Sequence, residues 1–493
     1  MELEFDRVEL PCLRRVHHQV QTQEETQEVR LRDEMPDIGR VLCCRGQVML
    51  RGKQWRSGSV IVDGVVQASV LYAPEDGSAP QSLLTWIPVQ VRWEIPSDIP
   101  DGMANITACL QNVDARVTAA RKMMIRVSVS ISAEITYADR EGLCGVKTQP
   151  EDVYLLESKY PLCVPSEAGE KAFSVDEIIK IPEANPLPAR ILCSELRPEI
   201  TDYRLLSDKL IFRGNVMLHI LYADADGELH SFSDAVTISQ YAELSREHTD
   251  ESDALVCVVV TNLEAELSED GMIRLKAGLI AQYTVCDCHV VSLVEDAYSP
   301  KRQIVPQKTN LHLPVILDRK TTSVTADPVM DEEMATIHDI AFYPDLPRTY
   351  TDEEAVSVEV SGNFHILFSD PTGMLCSKVC RWEHKQTIPA APNTKISVYI
   401  SASGKQEPKS GSTQLRMEFV TIGDVGIPMV TALEIGEVQE PDPDRVSLIM
   451  RKAGNECLWD IAKQSGSSVE MIRKLNHLTE EPDPDQLILI PVL

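Results

Sequence analysis

The chain is poor in aromatic residues: Phe, Trp and Tyr together make up 5% of its 493 positions. Aliphatic side chains must therefore build whatever cores it has. No run of 18 apolar residues occurs, so no helix long and apolar enough to span a membrane is expected. The amino terminus, Met1-Glu2-Leu3-Glu4-Phe5-Asp6-Arg7, carries charges where a secretory leader needs an apolar core, and the chain is expected to stay in the cytoplasm. Positive charge is in deficit, with a formal net charge of −29. Phosphate backbones and anionic membrane surfaces are gripped by concentrated Lys and Arg, so neither is an expected partner. The thirteen cysteines include no Cys-x-x-Cys pair, and Cys376 and Cys380 stand apart from histidines. They read as reduced, mostly buried thiols, not as a zinc cage or a disulfide framework.

Catalytic signatures are missing as well. There is no Gly-x-x-x-x-Gly-Lys phosphate loop, no Gly-x-Ser-x-Gly elbow and no His-Glu-x-x-His helix. His17-His18 lies in a polar stretch and reads as solvated surface. Glu353-Glu354 and Asp331-Glu332-Glu333 read as exposed loops, since carboxylate pairs are frequent by chance among 76 acids. No catalytic residue, metal ligand or cofactor is assigned, and the chain is expected not to be an enzyme.

What the sequence has is repetition. Gly64-Val65-Val66-Gln67-Ala68-Ser69-Val70-Leu71-Tyr72-Ala73, ending in Asp76-Gly77, returns as Gly214-Asn215-Val216-Met217-Leu218-His219-Ile220-Leu221-Tyr222-Ala223, ending in Asp226-Gly227. A weaker third version runs Phe364-His365-Ile366-Leu367-Phe368 to Thr372-Gly373. The first two lie 150 residues apart without a gap, and the third follows at about 146. Solenoid repeats are far shorter, so this is a domain used three times. Tyr72, Tyr222 and Phe368 recur at one place and read as core.

Each copy reads as β. Met123, Ile125, Val127, Val129, Ile131, Ala133 and Ile135 alternate with mostly polar neighbours, as do Ile273 to Val285 and Leu415, Met417 and Phe419. Asp-Gly and Thr-Gly turns supply the positive φ of tight hairpins at 64–77, 214–227 and 360–373. The expected fold is mainly β: three tandem sandwich-like or barrel-like repeats over 24–140, 160–300 and 305–436, after an extension over 1–23. Residues 139–160 and 296–312 break the periodicity and read as boundaries. An acidic, proline-bearing linker at 437–445 leads to a small module at 446–493.

That module reads strand–helix–helix–strand. Leu458, Ile461 and Ala462 share one helix face. Ser467 and Glu470 predict a capping box, Ile472 and Leu475 are expected to point inward, and Asn476 is expected as a left-handed C-cap. Trp459 reads either as half-buried core or as part of a recognition face.

Leu458-Trp459-Asp460-Ile461-Ala462-Lys463, Ile472-Arg473-Lys474-Leu475-Asn476-His477-Leu478 and Leu487-Ile488-Leu489-Ile490-Pro491 resemble a LysM domain. Its two groove loops depart from the family pattern. Gly454-Asn455-Glu456-Cys457-Leu458 is one residue longer than usual, and Glu480-Glu481-Pro482-Asp483-Pro484-Asp485-Gln486 is acidic and lacks Gly. Weak or no binding of N-acetylglucosamine glycans is therefore expected. Pro36-Asp37-Ile38 and the Gly-x-Val-(x)4-Leu-Tyr-Ala hairpin resemble the SPOCS domain of spore-forming Firmicutes. Three such domains with a LysM-like end resemble the SipL-type family of sporulation proteins. The resemblance implies a non-enzymatic coat-assembly scaffold on the mother-cell face of the forespore outer membrane. Its partners would be other coat proteins and, through the LysM-like end, a coat-basement ATPase of the stage IV sporulation protein A type. Within that module the expected partner-binding residues are Asn455, Glu456, Leu458, Trp459, Ile461, Asn476 and Leu478. The competing expectation is a cortex-binding protein that grips peptidoglycan.

Overall fold

Strict alternation along the sequence becomes one buried face per strand. In the computed structural model, which describes residues 4–56, 58–148, 151–331, 334–352, 355–389, 394–403, 411–438 and 446–493, every alternate apolar residue from Met123 to Ile135 and from Ile273 to Val285 is buried. Leu415, Met417 and Phe419 are buried likewise. The described chain is mainly β, with helix only near its carboxy-terminal end.

The first stretch holds β1 (Glu4–Arg30), β2 (Ile38–Arg56), β3 (Ser59–Pro74), β4 (Gln81–Glu94), β5 (Met103–Ala119) and β6 (Lys122–Thr148). They form two antiparallel sheets, ordered β1-β6-β5 and β2-β3-β4. Then come β7 (Tyr154–Ile179), β8 (Arg190–Leu205), β9 (Lys209–Ala223), β10 (Leu229–Glu243), β11 (Asp253–Leu267) and β12 (Ile273–Tyr298). Their sheets are β7-β12-β11 and β8-β9-β10. The third stretch has β13 (Arg302–Ala326), β14 (Thr336–Pro344), β15 (Arg348–Thr351), β16 (Ala355–Ser369), β17 (Leu375–Pro389), β18 (Thr394–Ser403) and β19 (Thr413–Val438). Here the sheets are β13-β19-β18 and a four-stranded one, in which β14 and β15 pair along successive lengths of β16 and β17 also pairs with it.

Local details recur at the sequence offsets. A β-bulge falls between Val41 and Cys43, between Ile191 and Cys193, and between Ile337 and Asp339. A bulge admits one extra residue and re-aims its neighbours. Gly77, Gly227 and Gly373 all adopt positive φ at their hairpins. Tyr72 and Tyr222 are fully buried and donate their hydroxyls to the Pro36 and Pro186 carbonyls, at 3.1 and 3.0 Å. Phe368, which has no hydroxyl to place, is buried too.

The three stretches contact one another cyclically. Arg40 donates to the Leu375 carbonyl at 2.6 Å, Arg190 to the Pro80 carbonyl at 2.7 Å, and His338 lies 3.3 Å from the Leu229 carbonyl. The contacts end near the starts of β17, β4 and β10, the strand that follows the hairpin turn in each neighbour. Leu42, Leu71, Leu192, Leu221 and Leu367 share one apolar cluster at this junction. The long strands pair as ribbons, β1 with β6, β7 with β12 and β13 with β19. A second cluster joins the ribbons through Leu10, Cys12, Leu162, Val164, Leu313 and Val315.

Several expectations are corrected here. Residues 139–160 and 296–312 are mostly strand, not loop: β6, β7, β12 and β13 run through most of both, and the passage from one stretch to the next is confined to a few residues within each. Their charges sit on ribbon faces turned to water, which imitates loop composition. The extension over 1–23 belongs to β1 over its described part, with His18 exposed on it. Cys163 and Cys288 are not reduced thiols but a disulfide, because the register sets them opposite each other on β7 and β12. Eleven other cysteines are free, and Cys457 alone among them is exposed. Asp331 is half-buried and pairs with Lys378. Glu332-Glu333, Glu353-Glu354 and most of the acidic linker lie outside the described residues.

Candidate functional site

The carboxy-terminal module comprises β20 (Leu448–Lys452), α1 (Leu458–Ser465), α2 (Val469–Asn476) and β21 (Leu487–Pro491), with β20 and β21 antiparallel. Its core gathers Ala453, Leu458, Ile461, Ala462, Ile472, Ile488 and Ile490. Gly466 closes α1 in the left-handed conformation, as a helix C-terminus favours.

The seven expected site residues divide by depth. Leu458 and Ile461 have no exposed surface and lie in the cluster that also takes in Tyr298 of β12, so they shape the module from beneath. Asn455 is exposed. Glu456 is half-buried, pairs with Arg451 and accepts from Gln464 at 2.9 Å. Leu478 is half-buried against the core. Asn476 is structural: its amide donates to the Leu489 carbonyl at 2.6 Å while its carbonyl accepts from the Leu489 amide at 2.7 Å, locking α2 to β21.

Trp459 resolves toward the half-buried alternative. Its indole Nε1 donates to Asp296 at 2.9 Å, and its ring meets Tyr298 edge-on at 4.8 Å. Lys463 and Lys308 also reach Asp296, at 2.7 and 3.0 Å. Burial alone would raise the Asp296 pKa, but hydrogen bonds from Lys463, Trp459 and Lys308 outweigh it and lower it to about 2. Tyr298 donates to the Ser467 carbonyl at 2.9 Å and stacks on Tyr154. The module is thus seated on the end of the β7–β12 ribbon. Asp296, Tyr298 and Tyr154 escaped the sequence reading, because they stand over 150 residues from Trp459 and nothing local marks them as its partners.

Two capping expectations and one of burial are corrected. The N-cap of α2 is Ser468, whose hydroxyl accepts from the Met471 amide at 3.2 Å; Ser467 is buried against β12 through its carbonyl. The left-handed C-cap is His477, with φ 53°, because Asn476 is taken up by β21. Leu475 faces solvent.

The two groove loops are tied to each other. Ala453 and Gly454 donate to the Gln486 and Pro484 carbonyls, both at 2.9 Å. Glu481 accepts from the Leu458 amide at 2.7 Å and pairs with Arg473 at 3.1 Å. Its carboxylate therefore occupies the amino-terminal end of α1, where free amides would otherwise meet a ligand's acceptors. Titration of the chain with chitin oligomers in a calorimeter is expected to give no saturable heat. A tight, saturable isotherm would contradict this reading of the loops.

Among the described residues no helix is long and apolar enough to cross a membrane, and no group of three or more His, Cys, Asp or Glu could hold a metal ion. No curated protein matches the chain. Residues 189–268, which span β8 to β11, match the family model described as SipL, SPOCS domain. The similarity lies within one of the three stretches and points to a sporulation-related protein.

Proposed function

We propose that the chain is a non-enzymatic scaffold of spore coat assembly. The SPOCS match within the second stretch carries this reading. It is extended to the first and third stretches by the recurring sheet order, bulge and hairpin glycine. On this view three SPOCS-type modules form a rigid body, and the LysM-like module is a docking head for a coat-basement ATPase of the stage IV sporulation protein A type. The complex would assemble on the mother-cell face of the forespore outer membrane. Glycan capture is disfavoured by the closed loops.

The docking surface proposed is the exposed rim around Asn455, Glu456 and Leu478, held in shape by Leu458 and Ile461, with Trp459 at the seam with β12. A pull-down from sporulating cells tests it. The full chain should retain the ATPase, and a chain lacking residues 446–493 should lose it. Truncating an interface anchor typically costs about 2 kcal/mol, or roughly 30-fold in affinity. Trp459→Ala, which removes the contacts to Asp296 and Tyr298 that seat the module, should weaken retention by up to about that factor while circular dichroism shows the fold unchanged. Equal retention by the truncated chain would move the docking site to the β modules.

A further inference from the structure

The three stretches border a cavity of about 310 Å³ that is partly open to solvent. Met49 and Leu50 of β2, Ile106 of β5, Val258 of β11 and Ile400 of β18 contribute to its wall. Protein interiors are close-packed, and voids larger than a water molecule are few and costly. An engineered apolar cavity of about 150 Å³ takes up benzene, and this one has about twice that space with some polar groups in its wall.

We propose that this central cavity binds a small uncharged aliphatic molecule with one hydrogen-bonding group, such as an alcohol. Its wall is built mainly for an apolar body, and four of its five charged residues already have hydrogen-bond or ion-pair partners. Arg416 donates to the Ile200 carbonyl at 3.3 Å, Glu418 pairs with Arg319, and Glu195 accepts from Tyr343 and from Arg197, the latter at 3.2 Å. Arg416 and Glu199 set opposite charges on the same wall, so a charged ligand would meet both signs and gain little net attraction. Glu199 remains to meet a polar end. Burial raises its pKa, against the opposing pull of Arg416, which favours a group able to donate as well as accept.

Cys109, Cys257 and Tyr399 line the same space and carry a second mark of it. Burial pushes the two thiols up to about 12 and about 11 and the phenol well above its ordinary value, as deep positions require. All three nevertheless keep accessible surface. Groups that are deep and still reachable face an internal space. Pockets of this kind form preferentially where domains meet.

Decanol is the probe. Titrated into the full chain, it should bind saturably and raise the melting temperature, as any ligand selective for the folded state does. Ala108→Phe and Cys257→Leu each fill part of the space and should weaken binding by about tenfold or more, with the melting temperature kept or raised. In the wild-type chain, decanol should also shield Cys109 and Cys257 from an apolar alkylating reagent, read by mass spectrometry. That arm needs no variant to fold. Absence of saturable binding, undiminished binding by a folded variant, or unshielded thiols in saturating decanol would each overturn the proposal.

Discussion

Asp339→Ala is expected to lower the unfolding free energy by about 3–5 kcal/mol, because it strands a buried guanidinium. Asp339 and Arg45 are both almost fully buried, with side chains 1% and 2% exposed. Arg45 donates to Asp339 Oδ2 through Nη2 at 2.8 Å and through Nε at 3.2 Å, and to the His365 carbonyl at 3.0 Å. His219 Nε2 stands 2.7 Å from the other carboxylate oxygen. Burial would raise the Asp339 pKa, but Arg45 and His219 outweigh it and hold the carboxyl well below its usual range. The contribution of its charge is therefore present above the ordinary carboxylate pKa of about 4 and fades only in stronger acid. Replacing both partners by apolar residues, Arg45→Met with Asp339→Leu, should restore most of the loss, since nothing charged is then left unpaired. Urea unfolding of the three chains near neutral pH measures this. A single variant within about 1 kcal/mol of wild type would show that the charge is compensated elsewhere.

The same cluster bears on how three similar units settle into one order. Arg45 lies on β2, His219 on β9 and Asp339 on β14, so the network takes one residue from each. Tyr343 extends it, donating to Glu195 of β8 and accepting from the Gly46 amide at 3.3 Å. The bulge equivalents of Asp339 are Cys43 and Cys193, which lie in the apolar cluster. Only one of the three equivalent bulge positions thus carries a charge. Reversing the cyclic order of the units would part the carboxylate from the guanidinium, at a cost that apolar contacts alone would not impose.

Much of this was legible in the sequence, and the reasons for the rest are physical. Alternation marks β6 and β12 because one face of each is dry, and the Asp-Gly turns mark hairpins because glycine reaches positive φ without strain. The strands through 139–160 and 296–312 escape the alternation pattern because a two-stranded ribbon shows much of its surface to water. Asp339 was invisible as one acid among 76. The offset of about 146 residues does set it in register with Cys193, and a charge at an otherwise apolar repeat position was the available signal. Trp459 could be weighed but not placed, since its partners on β12 are set by how the module docks on the ribbon.

The second large effect is a dependence on pH centred on His365. Its side chain is buried beside Arg45, and its ring meets Tyr343 edge-on at 5.0 Å. Burial lowers its pKa most; Arg45 adds to the shift, and a hydrogen bond with the Cys44 backbone opposes it, leaving a value of about 3 against 6.5 for the free group. Between those two values the unfolded chain holds a proton on this imidazole and the folded chain does not. Stability must then rise with pH in that window, by at most about 1.4 kcal/mol per unit from this one group. Above the upper value neither state is protonated there, and the slope from His365 vanishes. Urea midpoints collected down from neutral pH should fall faster in the wild-type chain than in His365→Phe, which keeps a ring against Tyr343 and cannot titrate. Carboxylates contribute to both chains and cancel in the comparison. Parallel curves would mean that the His365 ring takes up its proton in the folded state, and with it that the Arg45 cluster is open to water.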